Sequence, residues 1–329
     1  QEMVNRGAVN ITTHDTIDFI HIDLTATSAS HRCRVVINKG HTRITELYVD
    51  DQPVSFSQPQ ADTGTDKTAL RNFSIQEAFD FVTGVPLEKI AFILEAAHLN
   101  GMLSLEGRKT PYGLNIAGTL TNTVSQGLMS NDLLSRILIE TVAASDARMG
   151  GAPVTAMSNF GSGNQGISAT LPVMVLAREM NASQEELARA LALSHLVAIS
   201  IHARYTRLSA LCAASTAAMG AAAGMAWLFT RDLSVIQSAI INMVSDVSGI
   251  ICDGASSSCA MKVSTVTMSA FKAVLMARLG TRVSGHDGIV SSDAEQTINN
   301  LCRLVVNAMP ATDREIIHIM AENRAHSHC

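Results

Sequence analysis

Aromatic residues make up only 4% of this 329-residue chain, with a single Trp, so rings cannot fill its interior. The apolar total is nevertheless 47%, so Ala, Val, Ile, Leu and the 15 Met must form the core, a composition that favours closely packed helices. Charge is equally sparse, at 16% with a net of -5 and no Lys/Arg run. That excludes nucleic acid and an anionic membrane surface as expected partners and leaves a small uncharged or zwitterionic one. Six cysteines are too few for a disulfide framework in a chain of this length, and no basic start precedes an apolar core, so the expected compartment is a reducing cytoplasm. Long apolar runs are also missing. The longest weakly charged stretch, Leu208 to Phe229, reaches the roughly 20 residues of a membrane span, but it is mostly Ala, Gly, Ser and Thr and reads as a buried central helix. An initiator Met is absent at Gln1, and strand-like alternation begins soon after, so an upstream portion is expected to exist.

At this length one large or two unequal domains are expected. From about Val9 to Phe56 apolar and polar residues alternate, with Asn38-Lys39-Gly40 and Asp50-Asp51 supplying turns. Ser57 to Lys67 is a polar, turn-rich linker. Ser74-Ile-Gln-Glu77 then spells a capping box, and a run of helical patterns follows, with Gly101 and Gly150 as expected C-terminal stops. The fold class is therefore α+β, a small β-rich N-terminal part (residues 1–70, linker included) joined to a large, mainly α-helical domain (71–329).

Cys212, Cys252 and Cys259 lie in two stretches rich in small residues, LSALCAASTAAMGAAAG and GIICDGASSSCAMKV. Thiolates on closely approaching backbone suit a soft metal centre such as an iron-sulfur cluster, and three ligands leave one position open for chemistry. The alternative is that they are small buried hydrophobes, the commonest fate of free cysteine. The segment SNFGSGNQGISATLP, from Ser158 to Pro172, reads as a glycine-freed anion nest at a helix start. There Ser158, Ser162, Gly163 and Asn164 would hold a carboxylate or phosphate, although a tight inter-helix loop fits the same residues. His195 and His202 fall on one helix face ahead of Arg204, Arg207 and Cys212, either orienting a substrate or cluster or simply satisfied within a helix. Asp146 and Arg148 read as an exposed or interfacial pair. The terminal His326, His328 and Cys329 read as a frayed tail, or as a removable ligand arm. Cys33 and Cys302 fall in core patterns with no assigned role.

Taken together, SDARMGG, SNFGSGNQGISAT, RLSALCAASTAAMGAAAGMAWL and ICDGASSSCAMKV resemble the iron-sulfur-dependent L-cysteine desulfidase family, a relative of the alpha chain of bacterial L-serine dehydratase, over nearly the whole chain. The resemblance implies a 4Fe-4S cluster on Cys212, Cys252 and Cys259 with its fourth iron open to substrate, a small amino acid as that substrate, and a homodimer. It implies elimination of L-cysteine to pyruvate, ammonia and hydrogen sulfide, with L-serine as the rival substrate and a non-catalytic metal-binding module as the rival class. In that family an upstream Gly-Cys-Thr-Glu-Pro element supplies the proposed base. Nothing in this sequence matches it, so the general base is unassigned. Cys329 resembles the protective C-terminal ligand of related serine dehydratases.

Overall fold

The computed structural model describes residues 2–12, 14, 16, 20–40, 43–56, 70–205 and 208–326. The chain forms two compact units, Gln1–Asp66 with Ile317–Cys329, and Lys67–Ile316. In the first, a one-turn helix α1 (Glu2–Asn5) precedes strands β1 (His21–Thr27), β2 (Arg32–Asn38), β3 (Ile44–Val49) and β4 (Gln52–Pro53). They form an antiparallel meander in sequence order, with His21 opposite Asn38, Cys33 opposite Val49 and a register shift at Val36/Ile37. Asp50 and Asp51 both take positive φ, 51° and 61°, the geometry a two-residue hairpin needs to match strand twist. The expected linker, Ser57 to Lys67, lies outside the described residues.

The second unit is helical. Its elements are α2 (Ile75–Gly84), α3 (Leu87–Ile90), a 3-10 turn (Ala91–Ile93), α4 (Leu94–Lys109), α5 (Ile116–Ser125), α6 (Leu133–Met149), α7 (Gly163–Glu179), α8 (Gln184–Ala203), α9 (Ala213–Thr230), α10 (Leu233–Val247) and α11 (Cys259–Arg278). The last helix, α12 (Ala294–His326), contains Pro310 and runs on past the end of this unit. The architecture is thus α+β, a small antiparallel sheet with a large helical part, as expected. The Ser74/Glu77 capping box forms at α2, and Gly150 caps α6. Gly101 does not stop a helix. It sits inside α4, 3.6 Å from Met174 Sδ for a Cβ built there, because its missing side chain is used for packing rather than for a left-handed cap.

The core centres on α9, which packs against α7, α8, α10 and α11. Its sequence, AASTAAMGAAAGMAWLFT, is buried from Ala214 to Trp227. Small residues on every face allow that many neighbours to approach. By length and composition α11 also has what a bilayer crossing requires, which the sequence reading did not single out. Half of its most apolar window is buried inside the fold, as for a core helix.

Candidate active site

Two loops bring the cysteines to one end of the bundle. The segment before α9 lies beside the segment before α11. Cys212 N–H donates to the Ile250 carbonyl (2.9 Å) and Cys252 N–H to the Ala210 carbonyl (2.7 Å), with a β-bridge between Leu211 and Ile251. Cys212 is the N-cap of α9 and Cys259 the first residue of α11, so both thiols sit at the positive ends of helices. Cys259 Sγ is 3.6 Å from the Gly254 carbonyl, in a loop where Gly254 takes φ +101°. Burial pushes the Cys212 thiol up to about 11; its neighbours Cys252 and Cys259 add to the rise, while the Ala214 amide and Lys262 oppose it. Burial disfavours the Lys262 cation, yet its ion pair with Asp253 and the nearby Cys212 and Cys252 leave its pKa raised. Lys262 is thus the fixed positive charge beside the thiols.

Among the described residues no three His, Cys, Asp or Glu side chains converge on one metal ion. A cubane makes a different demand, since each cysteine ligates a separate iron corner. The donor chemistry here suits it: three soft thiols from two hydrogen-bonded loops, two helix N-termini and a lysine to balance thiolate charge.

The glycine-rich loop sits behind a wall of buried polar groups. Asn159 and Ser162 exchange backbone hydrogen bonds (3.1 and 3.0 Å) around Phe160 and Gly161, whose φ values are 50° and 89°. Ser162 then caps α7 by accepting from Gln165 N–H, and Ser158 stays exposed. Asn164 Oδ1 accepts from Ser145 Oγ (3.1 Å), and a Cβ at Gly163 would overlap the Arg148 guanidinium. SDARMGG is therefore seated directly on the α7 start. Asp146 is not the exposed partner that its sequence neighbours suggest. It is 1% exposed, and its Oδ2 accepts from Ala117 N–H at the start of α5 (2.9 Å). Burial raises its pKa against the pull of the Ala117 and Ile116 amides. Ser257, two residues before Cys259, reaches the same place, against Gly113 beside the Asp146 carbonyl.

A directional relay of hydrogen bonds escaped the sequence reading. His202 Nδ1–H donates to Gln165 Oε1 (2.8 Å), and Gln165 Nε2 donates to Asn159 Oδ1 (2.8 Å). Asn159 Nδ2 in turn donates to His195 Nδ1 (2.9 Å), and His195 Nε2–H to Thr170 Oγ1 (3.0 Å), which also accepts from Asn100. The only hint in the sequence was polar residues inside otherwise small or apolar segments. Phe160 lies against His202 (4.7 Å between rings), and His202 stacks on Tyr205 (4.7 Å). The Tyr205 hydroxyl is 3.4 Å from Thr216, in the first turn of the helix that Cys212 caps. The loop and the cysteines are thus joined through α8. Arg207, His328 and Cys329 lie outside the described residues, as does the side chain of His326.

Burial holds the His195 ring down at about 4, so it is neutral at pH 7. The unfolded chain binds its proton near 6.5 and the folded chain only near 4. The stability tied to neutral His195 is therefore complete above the unfolded value and lost as pH falls between the two. Between pH 7 and 5 the wild type should lose about 2 kcal/mol more than His195→Asn in urea unfolding. Parallel losses in the two proteins would show that this ring is not the titrating group.

The family model of the serine dehydratase alpha chain matches residues 40–318, a span that holds all four quoted motifs. The chain belongs to the serine dehydratase alpha chain family. It is 61% identical over 320 residues to a UPF0597 protein of Klebsiella pneumoniae subsp. pneumoniae, covering 97% of this chain and 75% of that one. A UPF0597 protein of Actinobacillus pleuropneumoniae serotype 3 is 47% identical over 322 residues, 97% of this chain and 74% of the relative. The UPF0597 protein YhaM of Salmonella typhimurium is 54% identical over 296 residues, 89% and 67% respectively. The resemblance drawn from the motifs holds at the level of the family, and membership in the serine dehydratase alpha chain family places the chain among lyase-like proteins.

Proposed function

We propose that this member of the serine dehydratase alpha chain family is an L-cysteine desulfidase, converting L-cysteine to pyruvate, ammonia and hydrogen sulfide, with Cys212, Cys252 and Cys259 holding a 4Fe-4S cluster. The observation that carries the reading is the mutual backbone pairing of residues 210–212 with 250–252, which brings the Cys212 and Cys252 segments side by side, with Cys259 among the neighbours of the Cys212 thiol. When bound, such a cluster supplies a Lewis-acidic iron that stabilises the departing sulfur. The residues of the chain bind and orient the substrate. The first turn of α7 offers backbone N–H groups without intrahelical partners and a positive dipole end for the substrate carboxylate, flanked by Ser158, Ser162, Gly163 and Asn164. The Ser162 oxygen already accepts from Gln165 N–H, so its own O–H is left to donate to that carboxylate. Holding the carboxylate fixes the α-proton in one direction, the orientational part of catalysis. The Phe160, His202 and Tyr205 rings lie in series, and the buried Tyr205 reaches Thr216 in the first turn of the helix that Cys212 caps. Once a base has taken the α-proton and the C–S bond has broken, that proton leaving with the sulfur as hydrogen sulfide, aminoacrylate is left, and water converts it to pyruvate and ammonia. The same reading places the protein in the reducing cytoplasm, as a homodimer acting on a small amino acid.

L-Serine presents the same geometry with a harder leaving atom, and soft-metal preference favours sulfur. After anaerobic iron-sulfur reconstitution, sulfide and pyruvate should appear in equal amounts from L-cysteine, faster than pyruvate appears from L-serine. Pyruvate from serine without sulfide from cysteine would overturn the assignment of substrate.

A further inference from the structure

An open groove of about 350 Å³ lies between the residues ahead of α2, the C-terminal end of α8 and the first turns of α12. Arg71, Arg204 and Arg303 line it with Asn299, Asn307 and Cys302, and no described carboxylate does. In a chain of net charge -5, three guanidiniums around one concavity reverse the average. Arg204 is its built part, with a side chain only 9% exposed and 2.7 Å from Glu295. It donates to Asn299 Oδ1 (3.0 Å) and to the Phe73 carbonyl (3.2 Å), while its buried Nε–H has no hydrogen-bond partner among the described residues. Glu295 is further committed to the Ile75 N–H (2.6 Å). Arg71 is anchored by its Nε–H to the Ala203 carbonyl (2.8 Å), which leaves the rest of its fork at the groove. Neither Arg71 nor Arg303 has an ion-pair partner among the described residues. One carboxylate against three guanidiniums leaves two positive charges uncompensated. On the floor, Cys302 is 5% exposed, with Sγ 3.7 Å from the Ile201 carbonyl, and burial raises its thiol to about 12. It is therefore a neutral, weakly polar base to a cationic rim.

We propose that this groove binds a small oxyanion, the carboxylate or phosphate group of a metabolite. Guanidinium forks match the paired oxygens of both groups, and the two carboxamides supply further donors for a third oxygen. Tyr205 stands near both the groove and the candidate active site: its hydroxyl is 3.4 Å from Thr216 in the first turn of α9, and burial raises its pKa against that contact, with Cys302 and Cys212 adding to the rise.

Isothermal titration calorimetry on the full chain tests this, with sodium phosphate in one arm, sodium succinate in the other, and sodium chloride at matched ionic strength as the reference. Saturable one-to-one binding is expected in at least one arm, and the arm that binds identifies the phosphate or the carboxylate source. The double variant Arg71→Gln/Arg303→Gln, which keeps the Arg204–Glu295 pair, should weaken that binding by about tenfold or more, roughly 1.4 kcal/mol. Arg303→Glu, a charge reversal at an exposed helix position, should do the same even if the double variant folds poorly. No saturable binding in either arm, or binding that both variants leave unchanged, overturns the proposal.

Discussion

Cys212→Ser should empty the protein of iron after anaerobic reconstitution and lower sulfide release from L-cysteine by more than about a hundredfold, since even residues that only orient metal ligands cost about 10–100-fold when replaced. The variant is informative because the fold should survive it. Cys212 occupies the N-cap of α9 without a side-chain cap hydrogen bond, and serine is among the preferred residues there, worth up to about 1 kcal/mol. The substitution thus removes a soft ligand while leaving the helix start as stable as before or more so. Cys302→Ser supplies the contrast. Its thiol is also buried but lies on α12, bonded to the Ile201 carbonyl of α8, and its loss should leave iron content unchanged. Iron per chain, the iron-sulfur charge-transfer absorbance, sulfide release and circular dichroism would be read on both. A Cys212→Ser protein that keeps its iron and its sulfide release would remove the cluster assignment altogether.

What could be read in advance followed the range of the interactions involved. The Asp50-Asp51 turn, the Ser74/Glu77 box and the Gly150 cap are set within a few residues, and each formed where its pattern lay, while strand-like alternation expected from Val9 becomes strand, among the described residues, only from His21. Gly101 misled because a glycine that ends a helix and one that lets a neighbour approach look alike until Met174, 73 positions on, arrives beside it. Asp146 misled for the reverse reason. A carboxylate next to an arginine reads as a surface pair, but here its real partner is the unpaired start of a helix some 29 positions earlier. The relay from His202 to Thr170 crosses three times between two segments, 159–170 and 195–202, and no periodicity within either announces which residues pair. The cysteine motifs were conspicuous as composition. The two-residue bridge that sets them side by side was not, because a pairing that short leaves no alternating pattern.

A large purely structural effect is expected from a single methyl group at Gly220. Within an exposed helix, Gly→Ala is stabilising by about 1 kcal/mol. At Gly220 the sign should reverse, because a Cβ there would overlap the Ser194 carbonyl of α8 and stand 3.0 Å from Ala198 Cβ. The obstruction is backbone, which cannot rotate away, so α8 and α9 must separate, at a cost of about 3 kcal/mol. In a unit of this size that corresponds to a fall in Tm on the order of 8 °C. Gly84→Ala is the matched control. It also lies in a helix, meets nothing within 4 Å, and should hold or raise Tm. A Gly220→Ala protein melting at or above the wild-type temperature would mean that these helices do not touch as described. The consequence reaches the site, since α8 carries His195 and His202 while α9 carries Thr216 and is capped by Cys212. Forcing the helices apart should lengthen the Tyr205–Thr216 contact, so sulfide release should fall in Gly220→Ala even at temperatures where the protein is fully folded.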